Sequence, residues 1–216
     1  MKLLIAVPTC FSRSYPHPYG KQVNGPNNKP QEIRESWARN AGPDMEVKFF
    51  YGKPPSGFPR EPAPDEVFLD CPDDYEGLAQ KVYQIFRWGQ DHRFDVVGKI
   101  DDDTWIDLPG LRPWIERLVQ QGAHYFGAVI SPEGCGGMCY FVDRKAMEII
   151  LSQEAPARGV AEDYIYGRIL KEAGICAARL LPVGGHFSSL RFVLFSEVID
   201  GVVSLHEPSG RVLVIN

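Results

Sequence analysis

Three carboxylates in a row, Asp101-Asp102-Asp103, follow a largely apolar stretch over residues 94–100. Adjacent carboxylates repel one another, and a cation relieves the repulsion. Hard divalent ions prefer carboxylate oxygens, and Mg²⁺ is typically held by one or two carboxylates together with substrate phosphates. Metal binding is the chemistry this triplet offers, with a solvated acidic loop as the plain alternative. An EF-hand loop alternates its acids and then needs glycine, a template that Trp105-Ile106 break. The triplet sits between an apolar run and Thr104-Trp105-Ile106, which argues against a merely solvated segment.

Other residue types could join it. Glu162-Asp163 stand at the start of a predicted helix. Acids there complement the helix dipole, worth about 0.3–1 kcal/mol each, which is the plain reading of these two residues alone; the functional reading is a carboxylate general base. Arg34 and Trp37 are three apart on another predicted helix and so share a face. A forked guanidinium suits a diphosphate, while an Arg covering a core Trp is the structural reading. His206 follows a predicted strand in Ser204-Leu205-His206-Glu207. A lone His is usually structural, and imidazole is also a common metal ligand. The five cysteines are odd in number and scattered, with no second Cys/His pair at zinc spacing beside Cys135 and Cys139. They read as buried free thiols.

The elements that must position these residues alternate between strand and helix. Residues 3–7 form a first strand, too short for a signal-peptide core. Residues 11–30, rich in Pro, Gly, Asn and Lys, read as one long loop, and a helix is expected from about Gln31 through Trp37. Further strands are expected at 45–51, 94–100, 124–130 and 138–142. Helices are expected around Leu78, Val82 and Ile85, over 109–121, over 144–152 with Asp143 as N-cap, and from about Ala161 to Gly174. Two short strands, 202–205 and 211–215, flank a Pro-Ser-Gly turn. The pattern predicts an α/β sheet with helices on its faces and a small antiparallel C-terminal end, as one domain over residues 1–216. In open α/β sheets ligands sit beyond the carboxyl ends of strands, where the acidic triplet falls.

With 44% hydrophobic and 24% charged residues, the chain has ordinary globular proportions. A net charge of −5 argues against a general nucleic-acid binder and against a polybasic membrane-surface protein. No stretch approaches the ~20 apolar residues of a membrane span, and a cytoplasmic location is the simplest expectation.

Between Ile33 and His206 the chain resembles the inverting β-1,3-galactosyl- and N-acetylglucosaminyltransferases, relatives of the Fringe proteins with the GT-A fold. The resemblance runs through Ile33-Arg34-Glu35-Ser36-Trp37, the segment from Asp73-Asp74-Tyr75 to Lys81, and Lys99-Ile100-Asp101-Asp102-Asp103-Thr104-Trp105-Ile106. It continues through the Gly136-Gly137-Met138 strand and Glu162-Asp163-Tyr164-Ile165-Tyr166-Gly167, with His206 at a compatible distance. The family's Asn-Leu-Thr is Gly77-Leu78-Ala79 here, and its Val-Phe is Thr104-Trp105.

The resemblance implies a GT-A, Rossmann-like mixed sheet and a UDP-sugar donor. It also implies a glycan or glycoconjugate acceptor and a cofactor Mn²⁺ or Mg²⁺. By carry-over, Asp103 and His206 ligate the metal, Asp101 and Asp102 face the donor, Arg34 and Lys81 add positive charge at the diphosphate, and Asp163 is the base. The donor sugar stays open among galactose, N-acetylglucosamine and N-acetylgalactosamine. Two rival readings are kept: a nucleotidyltransferase joining a sugar phosphate to a nucleoside triphosphate, and a non-catalytic nucleotide-sugar or carbohydrate-binding module. The first would need a Gly-rich loop after the first strand, where Pro8-Thr9-Cys10-Phe11-Ser12-Arg13 stands.

Overall fold

The computed structural model describes residues 1–16, 22–58, 61–131, 134–179, 198–199, 202–206 and 212–215. Strand β1 (Leu3–Pro8) is followed by a hairpin, β2 (Ser12–Pro16) and β3 (Gln22–Pro26), and by helix α1 (Lys29–Glu35). Then come β4 (Met45–Tyr51), β5 (Glu66–Phe68), α2 (Leu78–Asp91), β6 (Val96–Ile100) and α3 (Leu108–Gln120). The chain continues through β7 (Tyr125–Ser131), β8 (Gly134–Asp143), α4 (Arg144–Leu151), α5 (Glu162–Glu172) and β9 (Ala178–Arg179). The C-terminal strands are β10 (Val198–Ile199), β11 (Val202–His206) and β12 (Val212–Ile215).

Seven strands make the main sheet in the order β5-β4-β1-β6-β8-β7-β9. Strands β5, β4, β1 and β6 are parallel, β8 is antiparallel to both β6 and β7, and β9 is parallel to β7. The chain winds outward from β1 through β4 to β5, then returns to place β6 on the other side of β1. That reversal makes a topological switch point between β1 and β6, where the crevice beyond the strand ends is a natural ligand site. Strands β10, β11 and β12 form the expected small antiparallel sheet.

The run Leu3-Leu4-Ile5-Ala6-Val7 is apolar throughout because β1 is covered on both faces. Leu4 and Ala6 pack with Val82, Phe86, Met147 and Leu170 from α2, α4 and α5. Leu3, Ile5 and Val7 pack on the other side with Ile33, Trp37, Leu111 and Ile115. Asp143 caps α4 as expected, its carboxylate accepting from Ala146 N at 3.0 Å. Gly174, at φ +79°, takes the left-handed conformation that ends α5. Among the described residues no helix is long and apolar enough to cross a membrane.

Two expectations change. Residues 11–30 are not one unstructured loop: β2 and β3 pair antiparallel, Ser12 opposite Pro26 and Pro16 opposite Gln22. Pro16, Gly25 and Pro26 lie on these two strands, outside the central sheet, where such residues are tolerated. The first helix ends at Glu35, and Trp37 opens a separate 3₁₀ turn over Trp37–Asn40. Arg34 and Trp37 are therefore not on one helical face.

Gly98 in β6 leaves room for the Phe141 ring. A Cβ there would stand 2.2 Å from the Phe141 ring on the paired strand β8. That ring also stacks on Phe126, centroids 5.5 Å apart. Gly98→Ala should lower stability by about 1–3 kcal/mol, the usual range for overpacking, measured by urea unfolding. Combining it with Phe141→Leu should recover much of the loss. An Ala variant as stable as the parent would show that the ring has room to move.

Candidate functional site

The acidic triplet begins where β6 ends. Asp101 N donates to Met138 O at 3.1 Å, and Thr104 N closes a turn onto Asp101 O at 3.0 Å. The buried Trp37 indole donates to Thr104 O at 3.1 Å. Asp101 and Asp102 are half-buried, and Asp103 is exposed.

Within the apolar strand Val96-Val97-Gly98-Lys99-Ile100, Lys99 is 0% exposed. Its Nζ lies 2.5 Å from Asp101 Oδ1 and 2.5 Å from Glu162 Oε1, and it also donates to Gly137 O. Gly137 N donates to Asp163 Oδ2 at 2.9 Å. A Cβ at Gly137 would come within 3.0 Å of Glu162 Oε1, so glycine lets the start of α5 close onto β8. Lys99 and Gly137 thereby gather Asp101, Glu162 and Asp163 into one cluster, although Asp101 and Asp163 are 62 positions apart in the sequence. The helix-dipole reading does not describe Glu162. It turns inward to Lys99 and Tyr140, and α5 has no side-chain cap at Ala161.

Electrostatics divide the cluster. Burial works against the charge of Lys99, but Asp101 and Glu162 outweigh it and hold the ammonium above its usual range. Glu162 moves the other way from an ordinary carboxylate. Burial pushes it up to about 7, against the pull of Lys99 and with help from Asp101. One ammonium cannot compensate two carboxylates, and the more deeply buried one bears the difference.

Across the switch point, Thr9 at the end of β1 donates from Oγ1 to Asp102 Oδ2 at 2.8 Å. Asn27 Nδ2 reaches the same oxygen at 3.0 Å. Lys81, 2% exposed, donates to Thr9 O at 2.5 Å and to Asp73 Oδ1 at 2.9 Å. Asp73 also accepts from Phe11 N at 2.7 Å and Gly52 N at 2.6 Å. Lys81 thus lies beneath the crevice and ties the loops after β1 and β4 together. Arg34 lies elsewhere: its fork grips Asp65 at 2.7 and 3.0 Å and Glu66 at 2.9 Å, over the Phe49 ring. Those carboxylates hold it further above its usual range, Asp65 foremost. His206 closes strand β11, and its side chain lies outside the described residues.

Among the described residues, no three His, Cys, Asp or Glu side chains form a ready-made metal cage. The donor set fits a hard cation held by one or two carboxylates plus substrate oxygens, the mode usual for Mg²⁺. Sequence reading missed Lys99, Thr9 and Asn27. Only Lys99 had a visible signal, since a lysine inside an apolar strand must be paired when buried.

No protein-family model matches the chain. In fold it is similar to a protein assigned as a nucleotide-diphospho-sugar transferase from Desulfovibrio desulfuricans G20. That match has a TM-score of 0.51 and 13% identity, over 91% of this chain and 83% of that one. It is also similar to a CMP:2-keto-3-deoxy-manno-octonic acid synthetase complexed with CTP, with a TM-score of 0.50 and 13% identity, over 83% of this chain and 89% of that one. At this identity the likeness is one of fold: a mixed Rossmann-like sheet flanked by helices. Neither structure is named as a β-1,3-galactosyltransferase.

The raised Glu162 makes a pH prediction. The folded state favours its protonated form, so its contribution is fully present below about pH 4.5 and is lost as pH rises through about 7. Wild type should lose stability relative to Glu162→Gln between about pH 5 and pH 8, measured by denaturant unfolding at each pH. A constant difference between the two across that window would refute the buried, proton-binding assignment.

Proposed function

We propose that the chain is a metal-dependent inverting glycosyltransferase. It moves a hexose or N-acetylhexosamine from a UDP-sugar to a hydroxyl of a glycan acceptor, in the manner of the β-1,3-linking enzymes it resembles. The observation that supports this reading is the Lys99–Gly137 cluster, which brings Asp101, at the acidic strand end, and Asp163 to neighbouring partners.

In this reading Asp103, with His206, holds the cation, and Asp101 and Asp102 line the donor side. The cation, when bound, supplies positive charge against the leaving diphosphate. Asp163, held on Gly137 N, takes the proton of the acceptor hydroxyl. The acceptor oxygen bonds to the anomeric carbon from the face opposite the leaving group. The bond to the nucleoside diphosphate breaks, and its electron pair departs with the phosphate oxygen. Lys81 contributes from below, through Thr9 and Asp73. Arg34, gripped by Asp65 and Glu66, would have to exchange partners to meet a diphosphate. A cytoplasmic site of action belongs to the same proposal.

The fold likeness to a synthetase complexed with CTP favours a second reading, nucleotidyl transfer. Against it, the loop after β1 is not glycine-rich, and its Phe11 amide is taken by the Asp73 carboxylate. A loop built to hold a triphosphate would turn such amides to the phosphates.

Asp163→Asn should keep nucleotide binding and lose transfer by about 10²–10⁴-fold, the range for general-base catalysis. Unchanged turnover would remove Asp163 from this role. Calorimetry of UDP with and without Mn²⁺ should show metal-dependent binding that Asp103→Ala abolishes. Equal wild-type affinity under both conditions would count against the metal assignment. Pyrophosphate as product, in place of a nucleoside diphosphate, would select the second reading.

A further inference from the structure

Thr9 and Asn27 both donate to the Asp102 carboxylate. Asn27 Nδ2 donates to Thr9 Oγ1 at 2.7 Å, Thr9 Oγ1 donates to Asp102 Oδ2 at 2.8 Å, and Asn27 Nδ2 also reaches that oxygen at 3.0 Å. The three groups close a ring of hydrogen bonds. The Thr9 hydroxyl is acceptor and donor at once, an arrangement in which each bond polarises the next.

Both anchors are fixed from outside the ring. Thr9, 5% exposed, donates its amide to Phe50 O at 2.8 Å and receives Lys81 on its carbonyl at 2.5 Å. Asn27 reaches Cys10 O at 3.2 Å, and its Oδ1 accepts from Lys29 N at 3.1 Å, at the start of α1. The ring therefore joins the end of β1, the end of the β2–β3 hairpin and the turn after β6, on the two sides of the switch point. Neither donor adds a charge of its own.

We infer that Thr9 and Asn27 are positioning residues for Asp102, and that they set the carboxylate geometry that receives a cation–nucleoside diphosphate pair. The inference rests on the proposed reading of the site. Partners that orient the carboxylates of a metal site typically matter by 10–100-fold in affinity.

The test uses the full chain and calorimetric binding of UDP and CDP, each with Mn²⁺ and with EDTA. Thr9→Val keeps the shape and removes the hydroxyl, and Thr9→Ser keeps the hydroxyl. Thr9→Val should weaken Mn²⁺-dependent binding about 10–100-fold at a retained melting temperature, and Thr9→Ser should bind close to wild type. Asn27→Ala, on a half-buried loop, should weaken binding in the same direction and replaces Thr9→Val if that variant does not fold. Thr9→Val binding as tightly as wild type, or a loss that Thr9→Ser shares in full, would overturn the inference while leaving the nucleotide site standing. A wild type that binds neither nucleotide with Mn²⁺ would overturn the site reading, and this inference with it.

Discussion

A single buried ammonium organises this molecule. Lys99 lies in a central strand between two apolar cores, where an isolated charge would cost several kcal/mol. Its position is tolerable because Asp101 and Glu162 both lie 2.5 Å away and Gly137 O accepts a further hydrogen bond. The Tyr140 ring lies 5.8 Å from the ammonium, and its hydroxyl donates to Glu162 at 3.3 Å. Helix α5 must therefore start against the end of β6, because its first residue is a counter-charge. Asp163 follows Glu162 in sequence and is carried with it to the Gly137 amide.

A second centre, Lys81 with Asp73, does for the loops what Lys99 does for the strands. Three hydrogen bonds converge on the Asp73 carboxylate, from Lys81, Phe11 N and Gly52 N. This carboxylate accepts the Phe11 amide of the loop after β1 and the Gly52 amide of the loop after β4. Among the described residues no buried side-chain nitrogen or oxygen lacks a partner. Fully satisfied polar networks of this kind rigidify a structure, whereas a half-satisfied one would destabilise it.

The fold accommodates more than one chemistry. A sheet of this kind is shared with a protein assigned to nucleotide-diphospho-sugar transfer and with a synthetase complexed with CTP, and fold does not decide between their reactions. Here the loop after β1 offers a threonine hydroxyl to a carboxylate and lends a backbone amide to Asp73. At the start of α5, Asp163 accepts from the Gly137 amide.

By itself the sequence determined the sheet-and-helix alternation, the strand end at Asp101 and the helix ends at Asp143 and Gly174. Those features depend on hydrophobic period, capping and glycine conformation, which act over a few residues. It also marked Glu162-Asp163 and Lys81 as residues of interest, without saying which faced inward. The tertiary structure decided the rest. It turned Glu162 to Lys99, sank Lys81 beneath Thr9, engaged Arg34 with Asp65 and Glu66, and folded part of residues 11–30 into a hairpin. These outcomes depend on which charges are buried together and on pairings between segments far apart in the chain. No local pattern encodes such distances, because they exist only once the strand order has placed β6 beside β1 and α5 against β8.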